Sequence, residues 1–180
     1  MKVLAIPATN TRDGLNRKLI GAAVKVVEDQ IPACEIEIID INDYEMPIYS
    51  VERQAAGMPA LAQDLFTKFG EADAIVLSFA EHNGSYAAAW KNIYDWMSRI
   101  DMSVYQGAKV VMFSATPGPL AGGGVLGSAT LAAPFFGAEL VGSLGVGNFA
   151  QVYDPDTESI VDPDLRDQFT QLLAGLAEPS

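Results

Sequence analysis

Three short segments of the sequence combine glycine with serine, threonine or asparagine, and each stands between an apolar run and a stretch of helical periodicity. We call residues 8–14 the first segment, residues 79–86 the second and residues 114–124 the third. Backbone N–H groups, hydroxyls and amides of this kind bind phosphate groups, and glycine lets the backbone approach a flat ligand closely. The residue types therefore indicate either a binding site for a phosphorylated ligand or ordinary turn chemistry.

The first segment leads into a helical apolar pattern that begins at Leu15. The unpaired N–H groups at the start of a helix carry partial positive charge and suit a phosphate. Thr9, Thr11 and Asn16 would add hydroxyl and amide groups, and Arg12 would add a charge. The segment is not a P-loop, because no Gly-Lys-Ser/Thr follows, and it lacks the spaced glycines of a dinucleotide fingerprint. Helix capping is the alternative interpretation of the same residues.

Composition narrows the classes of function. The chain has 180 residues, of which 49% are hydrophobic, and this predicts one domain spanning residues 1–180 with its own core. A net charge of −12 disfavours nucleic acids and anionic membranes as partners. The single cysteine, Cys34, allows no intrachain disulfide and no cysteine-rich metal site, and the single histidine, His82, excludes schemes that need two imidazoles. The sequence shows neither a signal peptide nor a membrane span, so we expect a cytoplasmic protein.

The apolar pattern switches repeatedly between short runs and helical stripes. The short runs predict strands at residues 3–6, 34–40, 74–78, 109–113 and 139–144. The stripes predict helices within residues 15–26, 61–69, 90–97, 125–136 and 165–176. Strands that are separated by helical crossovers run parallel, with helices on both faces of the sheet. The predicted fold class is therefore α/β, a doubly wound three-layer sandwich with a five-stranded parallel sheet.

Polar and apolar residues alternate in the second predicted strand, from Glu35 to Ile38. One solvated face is typical of a strand at the edge of a sheet. Placing this strand at the edge gives the strand order 2-1-3-4-5, which reverses direction between the first and third strands. Ligands bind at such a switch point, at the carboxyl ends of the strands. All three segments follow strands, so we expect them to meet there.

The second segment and the helix after it resemble a known family. Residues 80–85 read Ala-Glu-His-Asn-Gly-Ser, and residues 90–99 read Trp-Lys-Asn-Ile-Tyr-Asp-Trp-Met-Ser-Arg. They are similar to the Pro-Glu-Tyr-Asn-Gly-Ser and Leu-Lys-Asn-x-x-Asp-Trp-x-Ser-Arg pattern of the NADPH-dependent FMN reductases, a family that includes quinone, azo-dye and chromate reductases. Residues 46–49 and 16–19 match further segments of that family. The resemblance implies a flavodoxin-like fold, in agreement with the predicted strand order.

The resemblance also implies FMN as the cofactor. The family's phosphate loop, Gly-Ser-x-Arg-x-x-Ser-x-Asn, falls on residues 8–16, where only Asn16 is identical. Thr9 keeps a hydroxyl, whereas Thr11 stands at the arginine position and Gly14 at that of the last serine. The side-chain donors of the loop thus depart from the family, while the backbone N–H groups do not depend on residue type.

In the second segment Ala80 replaces the family's proline, and His82 replaces a tyrosine. The resemblance implies that this position lies against the isoalloxazine rings, where histidine would keep an aromatic plane. The third segment, from Ser114 to Gly118, matches the loop that lies beside the flavin. The resemblance assigns no catalytic residue. The cofactor-binding residues that it implies, with Arg12 next to the family's arginine position, are Thr9, Thr11, Arg12, Leu15, Asn16, Ala80, Glu81, His82, Asn83, Gly84, Ser114, Ala115, Thr116 and Gly118.

The family implies an oxidoreductase that takes hydride from NADPH or NADH and passes electrons through FMN to a small-molecule acceptor, such as a quinone, an azo dye, a metal oxyanion or free flavin. It also implies a homodimer or a dimer of dimers, with the helix around Trp90 at the subunit interface. Two alternatives stay open: an electron carrier that binds FMN without turnover, and a family member that has lost its flavin, which the departures at Thr11 and Gly14 suggest. The sequence does not choose between the coenzymes, and it does not place Arg53 or Arg99, which are candidate ligands of a 2′-phosphate.

Overall fold

A five-stranded parallel sheet forms the centre of the computed structural model, which describes residues 1–178. Residues 179 and 180 of the predicted domain lie outside this described part. In chain order the strands of the described residues are β1 (Lys2–Ala8), β2 (Glu35–Ile38), β3 (Ala74–Phe79), β4 (Glu81–His82), β5 (Ser85–Tyr86), β6 (Lys109–Ala115), β7 (Glu139–Val146), β8 (Tyr153–Asp154) and β9 (Ser159–Ile160). Strands β4 and β5 form one separate pair, and β8 and β9 form another.

The helices of the described residues are α1 (Leu15–Gln30), α2 (Val51–Ala56), α3 (Ala60–Glu71), α4 (Ala88–Ile100), α5 (Gly123–Ala132), α6 (Phe149–Val152) and α7 (Pro163–Ala174). Short 3₁₀ turns lie at Ile41–Tyr44, Ala133–Phe136 and Gly175–Ala177. The predicted helices are present as α1, α3, α4, α5 and α7. We did not predict α2 and α6, because fewer than two turns show no period. Within residues 1–178, no helix combines the length and the apolar character that crossing a membrane requires.

The strand order of the sheet is β2-β1-β3-β6-β7, and every neighbouring pair is parallel. Because β6 and β7 are the fourth and fifth strands of this sheet, the predicted order 2-1-3-4-5 is confirmed. The alternating strand β2 lies at the edge, as expected. The register between β1 and β3 runs from Val3 beside Ala74 to Ala8 beside Phe79, so both strands end level. We call this end of the sheet, where the three segments emerge, the carboxyl edge.

Alternate residues of the sheet strands enter two apolar clusters, one on each face. On one face Leu4, Ile75 and Val110 pack with residues of α3, α4 and α5, among them the buried Trp90 and Trp96. On the other face the intervening strand residues pack under α1 and α7. Both faces are thus covered by helices, which gives the predicted three layers.

Strand β1 continues through Pro7 to Ala8, although we predicted its end before Pro7. Pairing of β1 with β2 stops at Ala5 and Ile38, whereas pairing with β3 continues to Ala8. Beyond Ala5, β1 is therefore an edge on its β2 side, and a residue without an N–H group costs no ladder hydrogen bond there.

The helix predicted within residues 125–136 is divided in the structure. Helix α5 ends at Ala132, and the chain continues as a 3₁₀ turn through Phe136. Pro134 explains the change, because it has no N–H group to continue the helical ladder. Gly137 then ends the turn with a φ of 78°, as the predicted stop at this glycine requires.

Candidate functional site

The side-chain amide of Asn16 joins α1 to two strands at the carboxyl edge. Its Oδ1 accepts hydrogen bonds from Ser78 Oγ at 2.8 Å and from Ala115 N at 2.7 Å. Its Nδ2 donates to Ala115 O at 3.1 Å. Asn16 is only 5% exposed, so water competes little for these bonds. The amide thus fixes the start of α1 against the ends of β3 and β6, where the second and third segments begin.

The first segment arches between β1 and α1. The hydroxyl of buried Thr9 accepts a hydrogen bond from Thr11 N at 3.2 Å. Helix α1 follows with Gly14 at its N-cap and no side chain capping it. A row of unpaired N–H groups before a helix is an arrangement that binds phosphate. Over residues 1–178, no protein acceptor is bonded to the backbone N–H groups of Asn10, Arg12, Asp13 and Gly14.

The second segment forms a β-hairpin where we predicted a loop. Strands β4 and β5 pair antiparallel across the turn. The turn residues Asn83 and Gly84 have φ values of 52° and 74°. Positive φ at both turn positions is typical of a type I′ turn, for which Asn-Gly is the favoured sequence. This dipeptide was the signal that would have predicted the hairpin.

Two contacts fix the hairpin to the start of α5. Glu81 Oε2 accepts a hydrogen bond from Val125 N at 2.9 Å, and it thereby satisfies one of the N–H groups that a helix start leaves unpaired. Gly84 approaches Gly124 so closely that a Cβ atom built on Gly124 would lie 2.7 Å from Gly84 O. The position of the hairpin therefore depends on the Glu81 carboxylate and on glycine at position 124.

The third segment turns inward at its start and outward further along. Ser114 is buried, and its Oγ donates to Phe79 O at 2.8 Å. Gly118 O accepts two hydrogen bonds, one from Thr116 Oγ1 at 2.9 Å and one from Asn148 N at 2.9 Å. A Cβ atom built on Gly118 would meet no heavy atom within 4 Å. The backbone at Gly118 thus borders open space, whereas the Ser114 hydroxyl is used inside the protein.

The predicted cofactor-binding residues fall into three groups by exposure. The buried ones are Thr9, Asn16, Ala80, Ser114 and Ala115. The half-buried ones are Leu15, Glu81, Thr116 and Gly118. The exposed ones are Thr11, Arg12, His82, Asn83 and Gly84. Among residues 1–178, no hydrogen bond or ion pair joins Thr11 or Arg12 to the second or third segment. The ligand contacts of all three groups stay predictions.

A cavity of about 270 Å³ lies beside the first segment, and none of the predicted cofactor-binding residues lines it. Its walls include Asn10, the 3₁₀ turn Ile41–Tyr44 with the residues after it, and the first turns of α4. The family resemblance could have indicated these wall residues, because residues 46–49 and the sequence of α4 both match the family pattern.

Asn92 of α4 lines this cavity and bonds to the backbone of residues 46–49 on the same wall. Its Oδ1 accepts a hydrogen bond from Tyr49 N at 2.8 Å, and its Nδ2 donates to Met46 O at 3.0 Å and to Pro47 O at 3.2 Å. Trp96 Nε1 donates to Pro47 O at 2.7 Å. Two stretches that are far apart in the sequence are thus fixed to each other.

Charge near the first segment is only partly paired. Arg17 Nη2 lies 2.9 Å from Asp40 Oδ1. Burial acts to raise the pKa of Asp40, but hydrogen bonds from Asn42 and the charge of Arg17 outweigh it, so the pKa is lowered. Arg12, in contrast, has no carboxylate within 4.0 Å among residues 1–178. Nor do three or more His, Cys, Asp or Glu side chains of this part of the chain cluster as metal ligands would.

A parallel sheet of this order, with turn segments gathered at its switch point, defines the flavodoxin-like class. FerB, a flavoenzyme NAD(P)H:(acceptor) oxidoreductase from Paracoccus denitrificans, has a TM-score of 0.73 at 20% identity, covering 97% of this chain and 94% of its own. An azoreductase from Bacillus anthracis has a TM-score of 0.72 at 18% identity, covering 98% of both chains. At these identities the likeness shows the fold.

The chain belongs to the NADPH-dependent FMN reductase family, whose model matches residues 1–151. The predicted family is therefore confirmed. An NADPH:quinone oxidoreductase of Arabidopsis thaliana is 29% identical over 100 residues, which are 55% of this chain and 50% of that protein. An NAD(P)H-dependent FMN reductase of Pseudomonas aeruginosa is 28% identical over 118 residues, 66% of this chain and 61% of that protein. The chain thus spans between half and two thirds of the length of these relatives.

Replacing Asn16 with alanine should lower the free energy of unfolding by roughly 3 kcal/mol, because it leaves Ser78 Oγ and the backbone groups of Ala115 buried without a partner, at about 1–3 kcal/mol each. Urea unfolding measures the loss. The control is Asn10→Ala, since Asn10 is exposed and its side chain makes no hydrogen bond within residues 1–178. An Asn16→Ala protein with the wild-type unfolding midpoint would contradict the anchoring role of the amide.

Replacing Gly124 with alanine should destabilise the protein by about 1–3 kcal/mol, the usual cost of overpacking, because the new Cβ atom would push the hairpin away. Gly127→Ala is the matched control, since a Cβ atom there would meet nothing within 4 Å and alanine favours the helix by up to about 1 kcal/mol. Thermal unfolding should therefore shift in opposite directions for the two variants. Equal shifts would show that the contact between hairpin and helix is unimportant.

Proposed function

We propose that this chain is an NAD(P)H-dependent oxidoreductase that binds FMN at the carboxyl edge and passes electrons to a quinone, azo, metal-oxyanion or free-flavin acceptor. The observation that supports this most is the row of unpaired backbone N–H groups within residues 10–14. These groups stand directly before α1, at the point where the strand order reverses. The chain belongs over residues 1–151 to a family of FMN reductases, so the phosphate that such a row would bind is that of FMN.

The residues of the first segment fit the phosphate of FMN. The unpaired N–H groups provide donors that do not depend on side-chain identity. Arg12 adds a charge that no neighbouring carboxylate neutralises within residues 1–178. The departures at Thr11 and Gly14 therefore remove side-chain donors of the family pattern and leave its backbone donors in place. An FMN complex of an azoreductase from Bacillus anthracis, with a TM-score of 0.65 at 14% identity over 98% of both chains, has the same fold.

The second and third segments offer room for a flat ring system. Cβ atoms built on Gly84 and Gly118 would each meet no heavy atom within 4 Å, so the backbone is open to a ligand at both turns. His82 and Asn83 are exposed on the hairpin, which Glu81 fixes in position. In this proposal these hairpin residues contact the ring edge, and Thr116 and Gly118 border the opposite side.

Bound FMN would supply the hydride and electron chemistry. The residues of the chain bind the cofactor, orient it through rigid turns and leave one side open to the nicotinamide and the acceptor. No side chain of the site is assigned as an acid or base, because the exchanged protons are within reach of solvent at the exposed hairpin.

A homodimer or a dimer of dimers is part of the proposal, but the apolar residues of α4 do not support it. Trp90, Trp96 and Met97 are buried in the core of their own chain, so they offer no surface to a partner. A second copy would gain more by covering the large apolar side chains that remain exposed. These include Leu120, Leu131 and Phe135.

The visible spectrum of the purified protein tests the proposed function. We expect flavin absorption after incubation with FMN, and consumption of NADPH or NADH when a benzoquinone is added. A protein that binds FMN but oxidises neither coenzyme would be the electron carrier. A colourless protein that gives no heat with FMN at micromolar concentration would be the family member without flavin. Either result would overturn the proposal.

Arg12→Ala should weaken FMN binding roughly three- to tenfold, because an exposed charge-assisted contact to phosphate is lost. The dissociation constant, measured by fluorescence quenching of FMN, reports the effect. Arg166→Ala is the matched control, since Arg166 is also exposed and has no ion pair within the described residues but lies on α7. Equal affinity of both variants for FMN would remove Arg12 from the phosphate site.

A further inference from the structure

Arg53 and Arg99 contact two consecutive residues, Ile48 and Tyr49, next to the cavity beside the first segment. Arg53 Nη1 donates a hydrogen bond to Ile48 O, and Ile48 lines the cavity. The guanidinium carbon of Arg99 lies 5.5 Å from the centroid of the Tyr49 ring. The fold thus places arginines from two different helices, α2 and α4, against neighbouring residues of one segment.

Neither arginine has an acidic partner in the described part of the chain. Of the 11 Lys and Arg side chains, seven form ion pairs within 4.0 Å: Lys2, Arg17, Lys18, Lys25, Lys68, Lys91 and Lys109. Arg53 and Arg99 are not among them, although a net charge of −12 makes carboxylates plentiful. Two cations that contact neighbouring residues and have no carboxylate partner among the described residues suit an external anion. The carboxylates of Glu45 on the cavity wall and of Glu52, which precedes Arg53 in the sequence, would repel that anion. Both guanidinium groups are therefore needed to hold it.

Hydrogen bonds and a ring contact hold Tyr49 and Ser50, the residues next to the two arginine side chains, in position. Tyr49 is tied to α4 through Asn92, and its hydroxyl donates to Gln54 Oε1 at 2.8 Å. The Tyr49 ring stands edge-on to Trp96, with the centroids 5.2 Å apart. Ser50 Oγ accepts a hydrogen bond from Arg53 N at 3.2 Å and so caps α2. Because this platform is ordered before a ligand arrives, less entropy is lost on binding.

We propose that Arg53 and Arg99 bind the 2′-phosphate of NADPH and make the protein prefer NADPH to NADH. The planar guanidinium matches phosphate geometry and keeps its charge at any physiological pH. Both side chains are exposed, and the neighbouring cavity of about 270 Å³ has room for part of a nucleotide. The cavity also reaches Asn10, so it extends from the first segment to Ile48, which Arg53 contacts. The inference rests on the proposed function for its choice of coenzyme.

Calorimetric titration with 2′,5′-ADP and with 5′-AMP tests the site without turnover, because the two ligands differ only in the 2′-phosphate. We expect 2′,5′-ADP to bind the wild-type protein about tenfold more tightly, with or without FMN. Arg53→Ala and Arg99→Ala should each remove this difference, whereas Arg166→Ala should keep it. Equal binding of the two ligands by the wild-type protein would overturn the proposal, and so would a difference that survives in both variants.

Steady-state kinetics of the FMN-loaded protein with a neutral benzoquinone provides the second test. The ratio of kcat/KM for NADPH to that for NADH should fall about tenfold in Arg53→Ala and in Arg99→Ala. A parallel loss with both coenzymes would indicate a structural role and would contradict the proposal. An unchanged ratio with a raised KM for a sulfonated azo dye would assign the arginines to an anionic acceptor instead, and would also contradict it.

The two tests separate this inference from the proposed function. A protein that selects 2′,5′-ADP but takes up no FMN would refute the proposed function alone. An active flavoenzyme that binds 2′,5′-ADP and 5′-AMP equally well would refute the arginine site alone.

Discussion

The amide of Asn16 is the interaction on which the carboxyl edge depends. It pairs with both the N–H and the C=O of Ala115, as a residue of a neighbouring strand would do. A carboxylate could accept from this backbone but could not donate to it, so an amide is the side chain that serves both groups. The third partner, Ser78, extends the contact to β3. Because α1 starts at this point, the unpaired N–H groups of the first segment are held in a fixed position relative to the sheet.

From this anchor outward, backbone atoms rather than side chains shape the predicted binding crevice. The first segment presents N–H groups, the hairpin meets α5 through Gly84 and Gly124, and the third segment opens at Gly118. A surface made of backbone is insensitive to many substitutions. This explains how the first segment can depart from the family pattern at Thr11 and still offer a phosphate its donors.

Much of the fold could be predicted from the sequence because each signal was local. The alternation in β2 placed it at the sheet edge, and this fixed the strand order and the switch point. The Asn83-Gly84 dipeptide and Pro134 are also local signals. They predict the β4–β5 hairpin and the end of α5, two elements that we did not predict correctly. The direction of side chains could not be predicted. Spacing gave no reason for Ser114 to point inward and Arg12 outward, and the cavity wall joins stretches that only tertiary contact brings together.

Gly84 and Gly124 meet backbone to backbone, so this contact between the hairpin and α5 uses no side chain. His82 is exposed and lies outside both apolar clusters, so its replacement leaves the cores unchanged. Related chains can therefore exchange the aromatic group at this position during evolution without repacking the interior. Under the proposed function, the substrate range of such a lineage would change through single substitutions on the hairpin, while the sheet and the two cores beneath it stay constant.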